Sequence, residues 1–153
     1  MAQPSPRRVI AIASGGGHWM QLQMLRPAFD HHDITWITTL PGLAEQAGAT
    51  PAHVVPDCNR ETPFRVLTCT VALAWRILRV RPHAVVTTGA LPGVIALALA
   101  RVLGARTIWI DSIANAEEMS ASGRLARRFA THRLSQWETV ARTEGADYAG
   151  SIL

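Results

Sequence analysis

The chain contains no lysine: its fifteen Lys-or-Arg positions are all arginine, against eleven acids, for a formal charge of +4. Without lysine there is neither the phosphate-gripping lysine of a Walker A loop nor an amine for a Schiff base. P-loop nucleotide hydrolases and lysine-imine enzymes are therefore excluded. Cysteine is nearly as scarce. Cys58 and Cys69 form neither a C-x-x-C pair nor a disulfide framework, which points to a reducing compartment and gives a metal site no support. No metal and no cofactor are expected. The arginines form no dense tract and no nucleic-acid-binding module is present, so no nucleic-acid partner is expected either. A G-x-S-x-G elbow is missing, which excludes an α/β-hydrolase serine. The most apolar stretch, Pro92 to Leu103, is far too short to span a bilayer, and Met1 to Pro6 is too short and polar for a signal peptide.

What is present fits one domain. At 153 residues the chain can bury roughly 70% of its unfolded surface, and it has no internal repeat or linker. Its organising stretch is Ser14-Gly15-Gly16-Gly17-His18. The apolar run Val9 to Ala13 before it reads as a buried strand, and Trp19, Leu22, Leu25 and Phe29 after it are spaced like one helical face. Strand, glycine turn and helix together bring bare N–H groups to a helix N-terminus, where the dipole favours an anion. By itself such a glycine run also serves as a plain tight turn.

Further along, Ile34 to Thr39 reads as a second strand, Pro41 to Gly48 as a short helix at most, and His53 to Val55 as a third, brief strand. His31 and His32 precede the second strand, at the edge opposite the glycine turn, and read as solvated turn residues rather than metal ligands. Pro63 to Arg81 is the longest helical stretch. Arg65, Thr68, Arg76 and Arg79 share one stripe of it, and nearly everything else is apolar. Such a helix is either covered on most of its circumference or lies on a membrane surface. Ala84 to Thr88 is a fourth strand running into Gly89-Ala90-Leu91-Pro92-Gly93 and an apolar helix closed by Gly104. Thr107 to Ile110 is a fifth strand ending at Asp111-Ser112. Ser122 is a candidate cap for a basic helix, and Leu134 to Trp137 is a last strand followed by a short tail.

Strands alternating with helices predict an α/β fold, a doubly wound parallel sheet. In that architecture ligands bind beyond the carboxyl ends of the strands where strand order reverses, between the first and fourth strands. Both glycine turns follow those strands, with Asp111 and Ser112 beside them, so a phosphate-facing cleft is expected. It does not fit a dinucleotide. Met20 stands where that fingerprint needs glycine or alanine, and Thr38-Thr39 ends the second strand without a ribose-binding acid.

Ser14-Gly-Gly-Gly-His18, Thr87-Thr-Gly-Ala90, Ile110-Asp-Ser112, Ser122-Gly-Arg-Leu125 and Gln136-Trp137 with Tyr148-Ala-Gly150 resemble the acceptor-side subunit of two-part glycosyltransferases. These comprise the Alg-type subunit of dolichol-linked oligosaccharide synthesis and the bacterial exopolysaccharide relatives that work with a glucuronosyltransferase subunit. The resemblance covers almost the whole chain and extends to the N-terminal half of the peptidoglycan lipid-linked N-acetylglucosaminyltransferase. It implies a Rossmann-like, GT-B N-terminal-like domain over residues 1–153. It also implies inverting transfer of a GlcNAc-class or GlcA-class sugar from a UDP-sugar to a lipid-linked diphosphate acceptor. Two positions depart from the pattern: Asp111 stands where many relatives have glutamate, and Asn115 where bacterial relatives often have arginine.

On that resemblance, Ser14, Gly15, Gly16, Gly17, Thr88, Gly89, Ala90 and Ser112 are expected to line the acceptor phosphate site, with Arg60 as a counter-charge. His18 is the candidate nearest the chemistry, since an imidazole titrates near neutrality, and Asp111 is the alternative base. The chain is expected at the cytoplasmic face of a bacterial plasma membrane, peripherally, held on anionic lipid by the apolar helix after Pro92 and the arginine-striped helix before Arg81. The spanning segment of the eukaryotic members is not expected. A GT-B enzyme needs two facing domains, so a separate donor-binding subunit is expected, gripping the tail 137–153, with no transfer by this chain alone. Two other readings remain: a non-catalytic scaffold recruiting a glycosyltransferase to the membrane, and a Rossmann-type enzyme binding some nucleotide.

Overall fold

The computed structural model describes residues 5–152. Of the polar start only Ser5 and Pro6 lie within these residues, and of the tail all but Leu153. Seven parallel strands form one sheet in the order β3-β2-β1-β4-β5-β6-β7. They are β1 (Arg8–Ala13), β2 (Asp33–Thr38), β3 (Ala52–Val54), β4 (Ala84–Thr87), β5 (Arg106–Ile110), β6 (His132–Ser135) and β7 (Asp147–Tyr148). Helices α1 (Gly17–Met24), α2 (Leu43–Gln46), α3 (Pro63–Val80), α4 (Ala90–Val102), α5 (Ala121–Ala126) and α6 (Glu138–Glu144) connect them, with a 3-10 turn at Arg26–Phe29 after α1. The expected doubly wound sheet is present, and its order reverses between β1 and β4, which pair directly through Val9 to Ile12.

Alternation along β1 divides the core into two layers. Ile10 and Ile12 point into a layer with Leu73 and Ile77 of α3 and Val94, Leu97 and Ala100 of α4. Val9, Ala11 and Ala13 point the other way, into a layer with Trp19 and Leu22 of α1 and Trp36 of β2. Trp36 anchors that second layer, with Trp19 and Phe29 edge-on at 6.0 and 5.9 Å. The arginine of the 3-10 turn closes it: Arg26 lies over the Trp36 ring at 5.8 Å while its guanidinium donates to the carbonyls of Ala47 and Gly48.

Three expectations change. The apolar helix expected to lie against lipid, α4, is buried instead: it packs against α3, α5 and the sheet, and only its far end, from Arg101 to Leu103, is exposed. Its all-round hydrophobicity is explained by cover on every side. Helix α3 is the one left bare. Cys69, Leu73 and Ile77 face the core, while Phe64, Leu67, Val71, Trp75 and Leu78 share an exposed face. The cap of α5 is Ser120, whose hydroxyl accepts from the Gly123 N–H at 2.9 Å, and not Ser122. Finally, residues after Trp137 are no simple tail. They form α6 and β7, tied back by Arg133, which is buried and donates to the carbonyls of Glu144, Gly145 and Gly123.

Cys58 and Cys69 are free and buried in the α3 layer. Burial pushes both thiols up, Cys69 from 9.0 to about 12. A thiol held protonated by the fold leaves stability untouched below its ordinary pKa and lowers it as pH rises from there towards 12. Native protein treated with iodoacetamide at neutral pH should therefore stay unlabelled at both cysteines by mass spectrometry and react fully once unfolded. Rapid native labelling of Cys69 would contradict this burial.

Candidate functional site

The turns after β1 and β4 meet at the switch point. Gly16 begins α1 with φ 72°, and Gly89 begins α4 with φ 149°, both backbone settings that side chains disfavour. Neither helix start has a side-chain cap, so the first-turn N–H groups of both are left unclaimed by capping side chains. Ala90, next to Gly89, also sits at positive φ, 69°, a setting that costs an alanine about 1 kcal/mol. Such strain collects where function holds it.

A two-way clasp joins the turns. Thr88 Oγ1 donates to the His18 carbonyl at 2.6 Å, and His18 Nδ1 lies 3.0 Å from the Thr88 carbonyl. A carbonyl only accepts, so Nδ1 carries the proton, and Nε2, which has no hydrogen-bond partner among the described residues, is the nitrogen that accepts in the neutral form of the ring. Gly89 makes the clasp possible: a Cβ there would overlap the imidazole. Thr88 and Gly89 are buried, while Gly16 and Gly17 are exposed at the cleft. A shallow cavity of about 370 Å³ opens beside them, lined by Ser14, Gly15, Gly16, Thr39, Leu40 and Asp57.

Asp111 has a different setting. It is 2% exposed, and its carboxylate accepts from Trp109 Nε1 (3.0 Å), Ser120 Oγ (2.6 Å), the Ser120 N–H (3.0 Å) and Asn115 Nδ2 (2.9 Å). All its lone pairs are engaged. It therefore shapes the loop after β5, and of the two candidate bases His18 is the one with an uncommitted atom. Asn115, the second departure from the family pattern, is bonded to the first. Ser112 is also committed: it accepts from Gln21 Nε2 at 3.0 Å and from the Ala114 N–H at 3.2 Å. Arg60 is exposed in the turn before α3, hydrogen-bonds to none of the described residues, and does not line the glycine cavity. Asp57 lines it instead. The structure thus brings Ser14 to His18 together with Thr88 to Ala90 and leaves Asp111, Ser112 and Arg60 around them.

Two buried glutamines were not singled out as site residues. Gln21 of α1 bridges Ser112 and the Ile113 N–H, and Gln136 Nε2 donates to Gln21 Oε1 at 2.8 Å and to the Asp111 carbonyl at 2.9 Å. Gln136 Oε1 in turn accepts from the Ile152 N–H at 3.2 Å, so the chain's end is tied to α1. The sequence signal was a polar residue, Gln21, one position before the apolar Leu22 on a helix of the core.

Asp111→Asn replaces an accepting oxygen by a donor among donors and should destabilise by about 2–4 kcal/mol. Gly89→Ala, which must displace His18, should cost a similar amount. His18→Ala should cost only about 1 kcal/mol. Urea denaturation midpoints give the ranking, and a larger loss for His18→Ala than for Asp111→Asn would overturn the scaffolding role of Asp111.

No family model matches the chain. It is 37% identical over 90 residues to the UDP-N-acetylglucosamine transferase subunit ALG14 of Eremothecium gossypii, covering 54% of this chain and 40% of that one. The chain thus spans well under two thirds of that relative. Among solved structures, MurG of Acinetobacter baumannii superposes with a TM-score of 0.73 at 16% identity, over 95% of this chain and 44% of that one. A UDP-N-acetylglucosamine 2-epimerase from Rickettsia bellii gives 0.72 at 13% identity, over 96% and 45%. The fold is that of one GT-B half, α/β and Rossmann-like. The resemblance read from the motifs, to Alg-type subunits and to the N-terminal half of MurG, holds in both sequence and structure. Because a protein named as an epimerase shares this fold, the fold leaves the reaction open.

Proposed function

We propose that the chain is the acceptor-binding subunit of a two-component glycosyltransferase, transferring a GlcNAc-class or GlcA-class sugar from a UDP-sugar to a lipid-linked diphosphate acceptor. The observation that carries this reading is the convergence of two uncapped helix starts on His18 and its bare Nε2. N–H groups at Gly16, Gly17 and Ala90 are suited to hold the acceptor diphosphate, each helix start adding about 0.3–1 kcal/mol for a nearby anion. Asp57 is badly placed for a phosphate and well placed to accept from an acceptor sugar hydroxyl. Arg60 stands outside that cavity as a more distant counter-charge.

In the reaction, His18 Nε2 takes the proton of the attacking acceptor hydroxyl. The oxygen forms its bond to the anomeric carbon of the donor sugar as the bond to the diphosphate oxygen breaks, UDP departs and configuration inverts. The donor is held by a second subunit facing the glycine turns, with the segment from Trp137 onward as its docking element. Similarity to a protein named as a transferase subunit supports a separate partner.

Gly17 has open space where a Cβ would stand and no positive φ, whereas Gly16→Val would strain the backbone at φ 72°. Gly17→Val should therefore abolish acceptor use without unfolding the chain. His18→Ala should slow transfer by the assembled enzyme about a hundredfold or more, the range of a lost general base. The chain alone should transfer nothing. Normal turnover by both variants, or robust transfer by the isolated chain, would end this reading; a pure scaffold would tolerate both substitutions.

Access to a lipid-linked acceptor is the use we assign to α3. Among the described residues no helix is long and apolar enough to cross a membrane. Its bare face carries Phe64, Leu67, Val71, Trp75 and Leu78, with Arg65, Arg76 and Arg79 along one flank. Three arginines on anionic lipid give roughly 3 kcal/mol, weaker than millimolar, and burying five apolar side chains at roughly 1 kcal/mol each moves the sum towards micromolar. In a flotation assay with anionic liposomes, Leu67→Ser with Trp75→Ser should shift the protein to the soluble fraction at unchanged thermal stability. Unchanged flotation would remove α3 from this role.

A further inference from the structure

The edge of the sheet opposite the glycine turns carries a second concentration of chemistry. A cavity of about 610 Å³ opens there between the end of α3, β1, β4 and the turn before β5. Arg7, Arg8, Arg81 and Arg106 line it with His83, and no carboxylate does. Arg79 lines the adjoining cavity together with Asp33.

Away from this edge Arg26, Arg101, Arg124 and Arg133 donate to protein oxygens, while the other arginines line no shared arginine-rich cavity among the described residues. At this edge only Arg8 does so. Its Nε donates to the Val80 and Arg81 carbonyls at 2.9 and 3.0 Å, which fixes the side chain against the end of α3 and leaves its terminal nitrogens without a protein partner among the described residues. The side chains of Arg7, Arg81 and Arg106 hydrogen-bond to none of the described residues. His83 Nδ1 accepts from the Arg8 N–H at 3.1 Å, so the neutral ring carries its proton on Nε2 and adds a donor. Arg81 itself ends α3 at φ 49°, the left-handed position that glycine fills at least cost. An arginine is held there in spite of the backbone.

We infer that this cavity is a binding site for a phosphate-bearing anion, separate from the glycine turns and independent of what they bind. Several guanidinium forks and an imidazole N–H, uncompensated by acid, match the oxygens of a phosphate and relieve their own repulsion on binding it. Leu78 and Leu103, 56% and 51% exposed, line the same cavity. That apolar rim suits a phosphate attached to an acyl chain, as in a lipid headgroup, alongside the soluble phosphate that the same donors would take.

The test measures two probes on the full chain: inorganic pyrophosphate by calorimetry, and co-sedimentation with phosphatidylcholine vesicles with and without phosphatidic acid. The variant is Arg81→Gly with Arg106→Gln, in which glycine relieves the left-handed backbone, so thermal stability should be kept or raised. At about fivefold for each arginine, binding should weaken about twenty-fivefold. The same two substitutions made in the Gly17→Val chain, whose glycine turns no longer hold a diphosphate, should weaken binding by the same factor. Loss of pyrophosphate binding identifies a soluble phosphate as a ligand, and loss confined to phosphatidic acid vesicles identifies a headgroup. Undiminished binding of both probes by the double variant, or no binding of either by the unaltered chain, would overturn the site.

Discussion

Everything at the cleft depends on β1 and β4 being neighbours. The chain leaves β1 by way of α1 on one face of the sheet and leaves β4 by way of α4 on the other, so the two connections part and a crevice opens between them. A crevice alone would be loose. The exchange of hydrogen bonds between His18 and Thr88 closes it at its base, each bond contributing about 1 kcal/mol. The same exchange orients the imidazole, so one contact sets both the width of the cleft and the proton position on its histidine. Gly89 is the condition for that contact, because any side chain there would occupy the place of the ring.

A second constraint lies behind the cleft, in the buried polar groups of Asp111, Gln21 and Gln136. Burying them is tolerable only because each has partners, and those partners come from α1, the loop after β5, the end of β6 and the segment near Ile152. The two departures from the family pattern make sense in this light. A glutamate at position 111 would carry its carboxylate one methylene further, into the space where Asn115 and Ser120 now meet it. A short acid and a short amide fit each other here. Through Gln136 and Gln21 the same network links the candidate docking segment to the helix that begins at His18, so a partner pulling on residues 151–152 would act on α1.

The parallel sheet, its reversal between β1 and β4 and the two glycine turns were legible, because β-branched runs, glycine at helix starts and alternation between strands and helices are local signals and the reversal follows from the doubly wound pattern. The role of Asp111 was not. A carboxylate at a strand end looks the same in sequence whether it faces a cleft or four donors, and two of those donors come from Ser120. That draw on Ser120 also explains why the cap of α5 falls two residues earlier than the Ser122 pattern suggested. Strand β7 is two residues long and shows no periodicity, and it exists only because β6 offers an edge. The reversed fates of α3 and α4 illustrate the same limit. Composition marked both as apolar, but which one is covered depends on position in the sheet order, and α4 lies over its centre between α3 and α5.

The bare face of α3 has a geometric consequence for any lipid surface that covers it. The helix starts after the loop at the carboxyl edge of the sheet and ends at Arg81 on the amino edge, about 27 Å away at 1.5 Å per residue. Phe64 therefore stands near the glycine-turn end and Leu78 near the arginine cavity. A bilayer in contact along this length would touch both edges at once. An acceptor with its diphosphate at the turns could then keep its lipid in the membrane while the far end of the domain is held by phosphate contacts at Arg81 and Arg106. One point of attachment would leave the cleft free to swing away from the surface; two, at opposite ends of a rigid helix, fix its angle.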